Sequence, residues 1–228
     1  MGRIDQQLAT YEFFGGYSTS LSASEKAGVN QITTSGALPQ GAALLDVGTA
    51  SEVVQVVNCI PSGGGQYVST LASPTTYAHT SGCSVAPLST SPSSVFPFVQ
   101  TVVMGEPITA EDYQQPLLFI LTPRSQERRQ FAQEKLITYT ITAVLTSVVP
   151  GTPSGDIGEV AINTFYGWMD QIADRIRTNK ILQTASYPQG AAIKFGENFT
   201  VEETHERVED AVWLVARFNI ESVEQVHA

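Results

Sequence analysis

Residues 135–149, KLITYTITAVLTSVV, alternate strictly: Ile137, Tyr139, Ile141, Ala143 and Leu145 fall on one side and Thr138, Thr140, Thr142 and Thr146 on the other. Successive side chains leave a pleated strand on opposite faces, so this period of two predicts a long strand. Its oily side belongs on a core. The threonine side carries no charge, which predicts a face turned from open water, against another protein molecule or against this chain's own N-terminal half. AVWLVARFNI (211–220) alternates in the same way. Val212, Leu214, Ala216, Phe218 and Ile220 form one face there, and Trp213, Val215, Arg217 and Asn219 the other. QPLLFILT (115–122) reads as a short buried strand ended by Pro123.

Between these strands the period changes. Over 156–180, Ala161, Phe165, Trp168, Ile172 and Ile176 recur every three or four residues, which predicts one amphipathic helix. Asp156 and Glu159 have the spacing of a capping box. Gly167 weakens a helix interior by about 1 kcal/mol relative to alanine, so a close backbone approach to the sheet is expected there. SQERRQFAQEK (125–135) reads as a charged connection with at most a turn of helix. GAAIKFGENFTVEE predicts two strands joined by a compact turn at Gly196, Glu197 and Asn198, and ENFTVEETHERVED (197–210) an acidic loop. The order implies an α+β fold: a mainly antiparallel sheet with one long helix packed across it.

The chain before this region has another texture. Eight charged residues precede position 110 and 26 follow it, while Ser, Thr, Gly and Pro dominate the first part. EVVQVVNCI (52–60), QYVSTL (66–71) and VFPFVQTVVM (95–104) have strand character, the first also fitting a short helix, and turn-rich runs separate them. Residues 1–97 are therefore expected to form a loop- and short-strand-rich extension that orders against a partner, with residues 98–228 as the α+β domain.

Composition narrows the function. A formal charge of −10 argues against a groove that grips phosphates. No apolar run is long enough to cross a bilayer and the N-terminus lacks a secretory-signal layout, so synthesis in a cytoplasm is expected. Cys59 and Cys83 cannot build a disulfide scaffold, and whether they pair stays open. No zinc spacing, nucleophile elbow or phosphate-binding loop occurs. His79, His205 and His227 lie far apart in sequence. No catalytic residue, cofactor or metal ligand is assigned, and a non-enzyme is expected.

In element order and texture, residues 98–225 resemble the tail terminator or tail-completion proteins of tailed bacteriophages. QPLLFILTPRSQERR, LITYTITAVLTSV, EVAINTFYGWMDQIADRIRTNK and GAAIKFGENFTVEETHERVEDAVWLVARFNIES carry that likeness. The matching parts are 116–121, 137–145, 160–176, 193–196 and 213–220. Such proteins commonly open with a short helix leading into the domain, and residues 1–97 depart from that pattern. The resemblance implies a structural virion protein of the phage neck, assembled in the host cytoplasm. It would form a ring, usually a hexamer, that caps the tail tube and docks the head connector. It also implies subunit or ring contacts through Thr138, Thr140, Thr142, Thr146, Trp213 and Arg217. A sheath contact through residues 1–97 would follow too. Glu197, Glu202, Glu203 and Glu206 would line a channel that genomic DNA traverses without specific binding. The alternative is a soluble binding module, adhesin-like or a decoration protein, using the N-terminal half.

Overall fold

The computed structural model describes residues 2–46, 50–107, 109, 112–131, 134–150, 156–190, 194–208 and 211–227. The side chains of 129–131, 150, 156, 157, 208 and 227 are outside that description, and with them the cap expected at Asp156.

Among the described residues the chain is largely β, with two sheets and two helices, rather than one sheet crossed by one helix. Helix α1 (Arg3–Phe13) comes first. Strands β1 (Thr19–Ser20), β2 (Gln31–Thr34), β3 (Gly41–Leu45), β4 (Glu52–Gly63), β5 (Gln66–Leu71) and β6 (Ser84–Pro87) build a six-stranded sheet ordered β1-β6-β3-β4-β5-β2. Then β7 (Ser89–Thr90), β8 (Thr101–Met104), β9 (Leu117–Ile120), β10 (Arg124–Phe131) and β11 (Glu134–Pro150) precede helix α2 (Asp156–Thr178). Strands β12 (Lys194–Val208) and β13 (Ala211–His227) complete a second sheet, β12-β13-β11-β9-β8-β7, with β10 paired to β11 beside this path. Strands β8 and β9 run parallel and the other neighbours antiparallel.

Strands β11 and β13 pair along their whole lengths, from Glu134 opposite His227 to Pro150 opposite Ala211. Both alternations hold. Tyr139, Ile141, Ala143, Leu145, Leu214, Ala216, Phe218 and Ile220 are buried on the inner face. Both helices cover that face, α2 through buried Phe165, Ile172 and Ile176 as its stripe predicts. Gly167 is not the point of close approach, because a Cβ there would meet open space. That point is Gly196, at φ +64, where a Cβ would lie 2.5 Å from Ile176 Cγ2. Gly196 sits in a register shift between Phe195 and Phe199, so the expected turn is instead a bulge within one continuous strand, β12.

Helix α1 escapes the hydrophobic pattern because its buried face includes Gln6, Gln7 and Thr10. Each polar group has a partner. Gln7 Nε2 donates to the Ile120 carbonyl at 2.8 Å, Ser222 Oγ to Gln6 Oε1 at 2.9 Å, and Thr10 Oγ1 to the Gln6 carbonyl at 2.7 Å. Satisfied in this way, buried amides cost little and fix the helix on the sheet. Leu8, Tyr11, Phe13 and Phe14 then enter the main core, and the Arg175 guanidinium caps it, 4.5 Å over the Phe13 ring.

Residues 1–97 thus hold a short leading helix and an ordered sheet with its own core, which includes Leu21, Ile32, Leu45, Val54, Val56, Leu71 and Val85. Strand alternation divides β3 and β6 between two cores: Ala43, Leu45 and Val85 face their own, while Leu44 and Ala86 belong to the main one. The six-stranded sheet is an insertion between α1 and β7. Its two ends are neighbours, since Thr19 pairs with Val85.

Candidate functional site

All six residues expected at an interface share the outer face of the second sheet. Thr138, Thr140, Thr142 and Thr146 stand opposite Val223, Glu221, Asn219 and Val215 of β13, with Arg217 opposite Val144 and Trp213 opposite Val148. The threonine column is uncharged, but the face around it is not: Arg124, Gln126 and Arg128 of β10 flank it on one side, Glu221 and Arg217 on the other. Among the described residues, the insertion meets the main core through Leu44 and Ala86, on the inner side. Thr146 alone is buried, bonding Gln115 Oε1 at 3.1 Å. Thr142 bonds Asn219 Oδ1 at 2.8 Å, and Thr140 is exposed.

The acidic stretch is the edge strand β12 rather than a loop. Glu202 and Glu206 share the outer face with Arg217 and Trp213, their register partners. Glu203 points to the inner side, where the Tyr166 hydroxyl donates to it at 3.2 Å. Glu197 lies in the bulge, bridged to Lys194 at 3.0 Å. One strand therefore divides the four carboxylates between two faces, whereas a channel lining needs them on one. The charged connection is likewise a strand, β10, which among the described residues pairs only with β11. Its Glu127 reaches Lys135 at 3.8 Å, and among the described residues Arg124 and Arg128 have no ion-pair partner. Among the described residues β10, with basic residues, and the terminal strand β12, with acidic ones, are each paired on one side only, while the sheet's other end is the two-residue β7.

A second constellation gathers at one end of the insertion. His79 is buried between two carboxylates: Nδ1 lies 3.1 Å from Asp46 Oδ2 and Nε2 lies 2.7 Å from Glu52 Oε1. Glu52 also accepts the backbone N–H groups of Thr76 at 2.7 Å and Tyr77 at 3.1 Å. Burial opposes its charge, but the His79 and backbone bonds outweigh that and hold its carboxyl below the usual range. Cys83 is half-buried beside Asp46, and burial with that negative charge pushes its thiol up to about 12. Both cysteines are free thiols. A protonated thiol and an imidazole engaged at both nitrogens lack the thiolate and the open base that nucleophilic catalysis requires. Sequence spacing hid this cluster, because the pairing of β3 with β4 and β6, together with a bridge from Glu25 to His79, brings positions 46, 52, 79 and 83 together.

Among the described residues, no helix is long and apolar enough to cross a membrane. No protein-family model matches the chain, and no curated protein matches its sequence.

Proposed function

We propose that this chain is a non-catalytic structural protein of a phage neck, a tail-terminator-like subunit. Copies join head to tail into a ring that caps the tail tube and receives the head connector. The observation that carries this reading is two strands of opposite charge, β10 and β12, each paired on one side only among the described residues. An exposed edge strand presents unpaired N–H and C=O groups and is a template for a strand from another molecule. Two different, complementary edges on one chain make a heterologous contact, which closes into a ring when the rotation allows. Exposed ion pairs contribute only about 0.2–1 kcal/mol each, so Arg124 and Arg128 against Glu202 and Glu206 select partner and register while backbone pairing supplies adhesion. The short helix α1 ahead of the sheet also fits, since terminator proteins commonly open that way.

In such a ring the outer face with Thr138, Thr140, Thr142, Trp213 and Arg217 meets the stacked tube or connector ring. The β4–β5 hairpin, with Val53, Val57 and Ile60 at least half exposed, reaches toward a sheath or connector subunit. DNA crosses the lumen unbound, repelled by the net negative charge. The same exposed valines and isoleucine also favour the second reading, a binding module that uses the insertion.

Charge exchange separates the two. Arg124→Glu with Arg128→Glu makes both edges acidic, and Glu202→Arg with Glu206→Arg makes both basic, so each variant alone should sediment as a monomer. Mixed in equal amounts, they should restore an alternating ring with an even number of copies. Rings formed by either variant alone, or a mixture that stays monomeric, would rule out edge pairing.

A further inference from the structure

His79 sits among donor atoms that could share a metal ion. A neutral imidazole carries one N–H, yet both of its nitrogens face carboxylate oxygens. The shorter contact, to Glu52, takes the Nε2 proton, and the Glu52 carboxylate is held by two backbone N–H groups and cannot turn away. Nδ1 faces Asp46 Oδ2 at 3.1 Å, and in the tautomer with its proton on Nε2 that nitrogen is free to ligate a metal ion. Cys83 Sγ completes the group: Asp46, His79 and Cys83 offer donor atoms that all lie within 4.8 Å of one another.

We propose that Asp46 Oδ2, His79 Nδ1 and Cys83 Sγ bind one zinc ion, with a solvent molecule as the fourth ligand. Tetrahedral zinc with nitrogen, oxygen and sulfur donors sets its ligands about 3.3–3.7 Å apart, so Nδ1 and Oδ2, now 3.1 Å apart, need open only slightly, and the sulfur, within 4.8 Å of both, need approach by at most about 1.5 Å. The mixed donor set suits zinc, whereas magnesium and calcium take oxygen ligands. Glu52 is the outer partner that orients a zinc-bound histidine by accepting its second N–H. On binding, the Cys83 thiol proton passes to solvent and the metal takes its place on sulfur. The ion would tie the end of β3 and the start of β6 to the segment carrying His79, fastening the open end of a sheet with a small core. This site is independent of the ring reading.

The test uses the full-length chain, stripped with a chelator and titrated with cobalt(II) chloride and then zinc chloride. One equivalent of cobalt should give the visible bands of a tetrahedral ion and a sulfur-to-cobalt charge-transfer band, both erased by zinc. Cys83→Ser should abolish the charge-transfer band and Cys59→Ser should keep it. Glu52→Gln should weaken zinc binding about 10–100-fold. In the unmutated protein, zinc should slow alkylation of Cys83 at least about tenfold and leave Cys59 unchanged, a readout that depends on no variant folding. Cobalt binding without a thiolate band, a band that survives Cys83→Ser, or equal protection of the two cysteines would each overturn the proposal.

Discussion

Excising the insertion tests the architecture most severely. Removing residues 20–84 and joining Thr19 to Val85 through two glycines should leave a folded protein. The geometry permits it: antiparallel Cα partners lie about 4.5–5.5 Å apart, and two added residues span that gap easily. The cost can be worked from the packing. Of the side chains in the main core, only Leu44 leaves with the insertion, since Ala86 stays in the chain. Losing one buried leucine amounts to about 1.5–3 kcal/mol. A domain of this size commonly has about 5–15 kcal/mol in hand, so a cooperative transition should survive at a lower urea midpoint. The assay is urea unfolding followed by near-ultraviolet circular dichroism, in which Trp168, stacked on Phe98 at 5.2 Å, reports on the main core. A product without a cooperative transition or an aromatic signal would show that the two sheets are one folding unit. The excised chain should also still form rings and should no longer bind zinc.

The two glycines expected and found at the helix–sheet contact make a matched pair. Gly196→Ala should destabilise the protein by about 1–3 kcal/mol, because φ is +64 and the new methyl group meets Ile176. Gly167→Ala, exposed and unopposed, should stabilise it by up to about 1 kcal/mol, both read as shifts in urea midpoint. Alkaline pH should unfold the chain. Burial raises the phenols of Tyr11, Tyr139 and Tyr187, with Glu224 reinforcing Tyr139 and Asp5 reinforcing Tyr187. The unfolded chain then loses these protons first, so their stabilisation is whole below about pH 10 and falls as pH climbs beyond it. Phenolate absorbance should appear together with loss of structure, and independent titration of all eight tyrosines near pH 10 in a folded chain would contradict the burial argument.

Sequence pattern reached the elements whose side chains alternate cleanly. Strands β11 and β13, the strand character of β5 and the α2 stripe were legible because water faces one side of each and a core the other, whereas β4 also fitted a short helix. Helix α1 was not, since Gln6, Gln7 and Thr10 pack as core residues through bonds that only the folded sheet supplies. Strands β10 and β12 were read as connection and loop for a related reason. Edge strands carry charge on exposed positions, and charge is also the signature of a loop. The outer-face residues were correctly grouped within each strand, but their charged neighbours come from other strands and no local pattern contains them. The His79 cluster shows the limit most clearly: its four residues spread over positions 46 to 83, and only strand pairing makes them adjacent.

The central claim is that β12 of one copy closes against β10 of the next. Amide hydrogen exchange measured across a concentration series tests it directly. Dilute protein should exchange the outward N–H groups of residues 194–208 and 124–131 rapidly, and assembled protein should protect both segments together. Equal exchange in these two segments at every concentration, with the particle mass rising or not, would contradict it.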